Sequence, residues 1–245
     1  MGLFVYTFGA GWVASLLAVP WTKMPRNFFR MNAGFALPIA AAGAGLWWRG
    51  GGDVVGPAAG VGAILFLLVA LLYWPDTVAR PLLWVASIAS IGAIGLATRE
   101  VGSTAAAASG GLVIGTVMSA MLLGHSYLAG QGMSFDLLER ASKVFLGSLV
   151  LRLVVVLAVL AVYQDFGSLG GVMSHSAKAA FRSWLLWIRI VVGLGTPIVF
   201  AWMVWQCARI KSNQSATGIL YATIPFVLVG ELLAQYYRTQ TGVPV

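Results

Sequence analysis

Four ionisable side chains lie within long apolar segments of this 245-residue chain, where they could do chemistry or hold helices together. They are His125, Arg152, Arg189 and Glu231. An ionisable group placed in hydrocarbon costs about 2.5–3.5 kcal/mol on insertion scales. Each of the four therefore requires a partner, a ligand or a water-filled space.

Arg189 and Glu231 have spacings that predict a buried ion pair. Each lies six residues from the same end of the last two apolar segments, or roughly 9 Å deep at about 1.5 Å per residue. A short loop makes these two helices antiparallel neighbours, and Gln235 lies one turn beyond Glu231 on the same face. Two interpretations stay open: a structural link between helices, or a carboxylate that handles a proton or hydrogen-bonds a ligand near the outer surface.

The partners of Arg152 and His125 are harder to assign. Arg152 falls in the middle of the sixth apolar segment, and main-chain carbonyls, Tyr or Ser hydroxyls, or an anionic ligand could accept from it. His125 lies near the cytoplasmic end of the fifth segment. It could hydrogen-bond at the membrane interface or contact a quinone or a proton.

Several kinds of site are excluded by the residues that the chain lacks. The other histidine, His175, is predicted on the opposite side of the membrane, so a bis-histidine haem within the bilayer is not expected. Cys207 is the single cysteine, which rules out an iron–sulfur cluster held by this chain. No phosphate-binding loop, nucleophile elbow or HExxH motif occurs. We therefore predict no catalytic residue and no metal ligand.

The elements that must position these residues are transmembrane helices. The chain is 60% hydrophobic and 9% charged, with a mean hydropathy of +0.89, and it contains successive apolar runs long enough to cross a bilayer. The sequence predicts an all-α integral membrane protein: one transmembrane domain over residues 1–245, a bundle of about eight helices. The predicted spans are residues 2–21, 31–49, 57–75, 81–98, 105–129, 143–163, 183–208 and 217–237.

The basic residues predict how the bundle is oriented. One set of loops carries eight Lys and Arg and the other set carries five, so the positive-inside rule places both termini outside. The net charge of +8 is spread between the spans, which indicates lipid headgroups rather than nucleic acid. The compact loops favour a bacterial inner (plasma) membrane.

Two connections and two glycine pairs have patterns of their own. The Gly- and Ser-rich residues 164–182 predict a mobile outward loop, and residues 133–143, capped by Ser134, predict an amphipathic segment along the cytoplasmic interface. Gly56 with Gly60 and Gly111 with Gly115 allow neighbouring helices to approach closely.

The last two helices resemble a known family. Arg189, Gly193 and Pro197, followed by Gly230-Glu231-Leu232-Leu233 and by Tyr236-Tyr237-Arg238, are similar to the end of the membrane-anchor subunits of the dimethyl sulfoxide reductase and polysulfide reductase families. The resemblance covers about 55 of 245 residues. It implies eight helices with both termini outside, and a quinol bound between helices by a subunit that carries no metal. The His and Glu pair expected in the early helices is missing.

The resulting expectation is a membrane-anchor subunit of an electron-transfer complex, not an enzyme by itself. Its partners are the lipid bilayer and other protein subunits, and its implied cofactor is a quinone. The candidate binding residues are Arg189, Glu231, Gln235, His125 and Arg152. Two alternatives remain: a small transporter or channel whose path uses Arg152, His125 and helices kinked at Pro197 and Pro225, or a structural or assembly subunit.

Overall fold

The structure is a computed structural model that describes residues 1–128, 136–163 and 177–245, and these ranges contain helices and no strands. The helices are α1 (Gly2–Ser15), α2 (Arg26–Arg49), α3 (Val55–Tyr73), α4 (Asp76–Thr98), α5 (Val101–Leu128), α6 (Asp136–Val162), α7 (Ala177–Ile190), α8 (Thr196–Arg209) and α9 (Asn213–Thr241). Helix α1 continues as a 3₁₀ turn to Ala18, and a π-helical turn, Val191–Gly195, joins α7 to α8 in one rod.

The described part of the chain thus forms eight rods that alternate in direction. Close approaches of Gly9 to Ala36 and Ala40 and of Gly43 to Tyr6 make α1 and α2 antiparallel. Contacts of Gly110 with Glu231 and of Gly124 with Thr217 do the same for α5 and α9. We name the two ends of the bundle after one residue each: the Arg238 end, which includes Arg49 and Arg99, and the Arg140 end, which includes Lys23 and Lys211.

Six of the rods are long and apolar enough to cross a membrane: α3, α4, α5, α6, the rod from Phe181 to Arg209, and α9. The first rod, Gly2–Ala18, is a shorter apolar helix. The predicted all-α, multi-pass membrane bundle is confirmed at this level. Among these six rods α5 is the most enclosed, with 67% of its apolar window buried.

Glycines allow α1 to lie directly against α5. Gly11 contacts the backbone of Gly111, and Gly115 contacts that of Gly11, so a side chain at any of the three would meet main-chain atoms. The close approach predicted for Gly111 and Gly115 is confirmed. So is that of Gly56 and Gly60, which pack against Ala93 of α4.

Two predicted connections are wrong where the structure describes them. Residues 136–143 form the first two turns of α6 instead of a separate interfacial segment, because their apolar face, with Leu137 and Leu138, is buried in the bundle. Residues 177–182 belong to α7 rather than to a loop. The rest of both connections, with Ser134 and His175, lies outside the described residues.

Candidate charged cluster in the membrane

Glu231 lies between two arginines that come from different helices. Its Oε1 accepts from Arg189 Nη2 at 2.9 Å and from Arg152 Nε at 3.1 Å, and its Oε2 accepts from Arg152 Nη2 at 2.8 Å. Arg189 is fully buried, and Arg152 and Glu231 are nearly so. The predicted Arg189–Glu231 ion pair is confirmed. These three residues form what we call the charged cluster.

Arg152 extends the charged cluster to α5 and to the segment after α9. Its Nη1 donates to the main-chain oxygen of Ala106 at 2.8 Å and to Ser109 Oγ at 3.2 Å. Its Nη2 also donates to the main-chain oxygen of Val245 at 3.3 Å. The carbonyl and Ser acceptors expected for Arg152 are therefore present, and Glu231 is added to them.

Glycines make the room that the charged cluster needs. A Cβ on Gly193 would stand 2.5 Å from the Cα of Gly230 and 3.1 Å from Arg189 Nη1. A Cβ on Gly110 would overlap Glu231 Oε2. Because these three positions carry no side chain, the π-helical turn and α9 touch along their backbones and both arginines reach one carboxylate.

The charged cluster carries one more positive than negative charge. Two guanidinium groups share a single carboxylate, and Nε and Nη1 of Arg189 are buried without a hydrogen-bond acceptor among the described residues. Buried donors are normally paired, and each one left unpaired costs about 1–3 kcal/mol. An oxygen atom of a ligand or an ordered water is the kind of group that satisfies them.

A cavity of about 40 Å³ borders the charged cluster on its Arg152 side. Arg152, Glu231, Gln235 and Arg238 line it, so three donor-bearing side chains surround one carboxylate. Gln235 therefore lies beside Glu231, as its spacing predicted. The other walls are Thr7, apolar side chains and glycines of α1, α5 and α9, and the segment with Pro244 and Val245. The volume is enough for a small number of water molecules.

The structure does not bring His125 to this site. The histidine lies sixteen residues beyond Ser109 along α5, or about 24 Å at 1.5 Å per residue. It is exposed near the Arg140 end, and its Nδ1 lies 3.2 Å from the hydroxyl of Tyr221. This hydrogen bond matches the interfacial role considered for His125.

Pro197 and Pro225 differ in burial. Pro197 is buried in the first turn of α8, directly after the π-helical turn, whereas Pro225 is exposed on the surface of α9. Their side chains therefore do not line one shared space.

Arg238 is the residue of the site that sequence reasoning missed. The sequence predicts Arg238 in a loop, because it falls beyond the predicted end of the last span. The longer α9, which continues to Thr241, carries it along the side of the helix that faces the cavity. Its spacing of seven residues from Glu231, two helical turns, was the available signal.

Metal ligation has no candidate in the described ranges, where no three His, Cys, Asp or Glu side chains come together. Comparisons of the chain with protein-family models, with curated proteins and with solved structures find no match.

Proposed function

We propose that this chain is the integral membrane subunit of an electron-transfer complex and that its charged cluster contacts a quinone headgroup. The proposal includes eight spans, with both termini outside, in a bacterial inner membrane. One observation carries it: a buried cluster with excess positive charge borders a cavity that holds further donors, Gln235 and Arg238. The sequence resemblance of the last two helices points in the same direction.

The chemistry of a quinone suits these donors. Both of its carbonyl oxygens accept hydrogen bonds, and the semiquinone or deprotonated quinol carries negative charge that a net-positive site stabilises. Arg152, Gln235 and Arg238 provide N–H groups around the cavity. In this proposal Glu231 remains ionised and accepts a hydrogen bond from a quinol hydroxyl.

The size of the cavity defines how a ring must enter. About 40 Å³ accepts the oxygen-bearing edge of a quinone but not its whole ring. Pro244 and Val245 form one wall and belong to the short segment that follows α9. In this proposal the segment moves aside when the ring binds.

Titration with menadione, a short naphthoquinone, tests the ligand. We expect saturable quenching of tryptophan fluorescence by the purified chain, and about tenfold weaker binding for Gln235→Leu, which removes one hydrogen bond without removing an ion pair. Gln214→Leu, exposed at the start of α9, is the matched control. Equal affinity of wild type and Gln235→Leu would exclude the quinone contact at this site.

The anchor role is tested separately by what co-purifies with the chain. Gentle extraction from its native membrane, followed by mass spectrometry, should return redox subunits with iron–sulfur, cytochrome or molybdenum centres in a fixed ratio. A chain that is extracted alone contradicts the anchor role and favours the transporter alternative. In that case, uptake by liposomes that contain only this chain is the next measurement.

A further inference from the structure

Buried hydroxyl groups form a row through the middle of the bundle, and the proposed quinone contact does not use them. Ser15 Oγ lies 2.7 Å from Ser119 Oγ, and Thr116 Oγ1 lies 2.8 Å from Ser148 Oγ. All four residues are at most 5% exposed. The row joins α1, α5 and α6.

The row ends at the charged cluster on one side. Ser148 and Arg152 are one turn apart on the same face of α6, and Arg152 donates to Ser109, two turns from Thr116 on α5. Two gaps of about one helical turn, from Ser119 to Thr116 and from Ser148 to Arg152, interrupt the hydrogen bonds of the row, and a single ordered water can bridge each of them. From Ser109 to Ser119 the row covers about 15 Å along α5.

On the other side the row opens into a second cavity. Ser15, Thr116 and Ser119 line this cavity together with Arg140. Arg140 also lines a neighbouring cavity that contains Lys23, Asp136, Glu139 and Lys143 at the Arg140 end of the bundle. The polar row therefore lies between one cavity at the charged cluster and another that adjoins the charged groups of the opposite end.

We propose that this row conducts protons across the membrane between the Arg140 end and the charged cluster. Ser15, Thr116 and Ser148 also donate to carbonyls of their own helices, those of Trp12, Val113 and Phe145, so each hydroxyl must rotate toward its partner to pass a proton on. In both hydroxyl pairs either oxygen can be the donor. A proton that enters at one end is matched by one that leaves at the other, with no net chemistry. Beyond the row, the cavity that Gln235 and Arg238 line continues the path.

The same geometry restricts what passes. Hydroxyl oxygens 2.7 and 2.8 Å apart leave no space between them for an ion. Only a proton that is transferred along hydrogen bonds passes such a contact. This activity goes beyond the proposed quinone contact and requires no quinone.

Proton flux into liposomes tests the inference. The full chain is reconstituted with a pH-sensitive dye inside, and a potassium gradient with valinomycin drives protons across the membrane. We expect faster flux than in protein-free liposomes, and a fall to the protein-free rate in Thr116→Val and in Ser119→Ala. Thr116→Ser, which keeps the hydroxyl, should retain the wild-type rate.

Ser87→Ala is the matched control, because Ser87 is equally buried but bonds only to the Leu83 carbonyl of its own helix. It should conduct like the wild type. A wild-type flux no faster than that of protein-free liposomes would overturn the proposal, as would unchanged flux in both Thr116→Val and Ser119→Ala. Menadione is absent from this assay, so failure here leaves the quinone contact standing, and the reverse also holds.

Discussion

Glu231 neutralises part of the charge of two buried guanidinium groups, so its loss is more costly than the loss of an ordinary ion pair. Removing the partner of a buried charge leaves that charge uncompensated in a poorly polarisable environment. Arg189 already has two nitrogens, Nε and Nη1, without acceptors in the part of the chain that the structure describes. Arg189 therefore has no substitute acceptor close by, whereas Arg152 also donates to Ala106, Ser109 and Val245.

We expect Glu231→Gln to lower the free energy of unfolding by about 3–5 kcal/mol, the usual cost of breaking a buried pair. Chemical unfolding in mixed micelles, followed by circular dichroism, measures it. Glu100→Gln is the control, since Glu100 is exposed and its contact is with Ser103. The same unfolding midpoint for the two variants would show that the cluster adds nothing to stability.

Arg152 contributes through the shape of its side chain as well as its charge. It binds Glu231 with both Nε and Nη2 and uses Nη1 for Ala106 and Ser109. A lysine has a single ammonium group and cannot reproduce this fork. We expect Arg152→Lys to lower the free energy of unfolding by about 1–3 kcal/mol. Arg140→Lys, at an exposed arginine of the same helix, should lower it little. Thermal unfolding of both proteins in detergent compares them, and equal melting temperatures would contradict this view.

At the scale of helices, the contact between the π-helical turn and α9 depends on two facing glycines, Gly193 and Gly230. Gly193→Ala would place a methyl group 2.5 Å from the Cα of Gly230, so the two helices must separate and Arg189 must withdraw from Glu231. We expect a loss of about 1–3 kcal/mol, as for other overpacked sites. Chemical unfolding in mixed micelles measures the loss.

Gly218→Ala provides the contrast within α9, because no atom lies within 4 Å of the Cβ it would carry. That change should be neutral, or stabilising by about 0.5–1 kcal/mol through the better helix propensity of alanine. If Gly193→Ala behaved like Gly218→Ala, the close contact of the two helices would not be needed for stability.

The sequence predicted one ion pair of the charged cluster but not the other, for a geometric reason. Arg189 and Glu231 lie on consecutive rods at equal distances from the same end, so their depths alone bring them together. Helices α6 and α9 are not consecutive, and the depth of a residue in the membrane does not indicate which face of α6 packs against α9. The sharing of Glu231 could be suspected only because two buried arginines compete for one carboxylate.

At the scale of the whole molecule, the number of rods and their alternating directions were accessible from apolar runs and loops, whereas α6, α7 and α9 extend beyond the predicted spans. The glycine pairs Gly56/Gly60 and Gly111/Gly115 were also accessible, but the row of hydroxyls was not. Serine and threonine bond to their own helix as readily as to a neighbour, so only the packing of α1, α5 and α6 shows which of them meet.

The proposed topology, eight spans with both termini outside, predicts which loops a membrane-impermeant thiol reagent reaches. With Cys207 replaced by Ala, we expect Gly51→Cys and Thr239→Cys, at the Arg238 end, to react in intact cells. Gln214→Cys, at the Arg140 end, should react only after permeabilisation. All three positions are exposed. Reaction of Gln214→Cys in intact cells would contradict the proposed orientation.

The π-helical turn Val191–Gly195 sets the rotational phase of α7. Such a turn holds one residue more than an α-helical turn, which corresponds to a rotation of about 100° for everything that precedes it. Arg189 comes two residues before this turn. Deleting Val192 should therefore turn Arg189 away from Glu231 without altering any charged residue. A homologue that lacks this one codon could retain both arginines and the glutamate, yet be unable to assemble them.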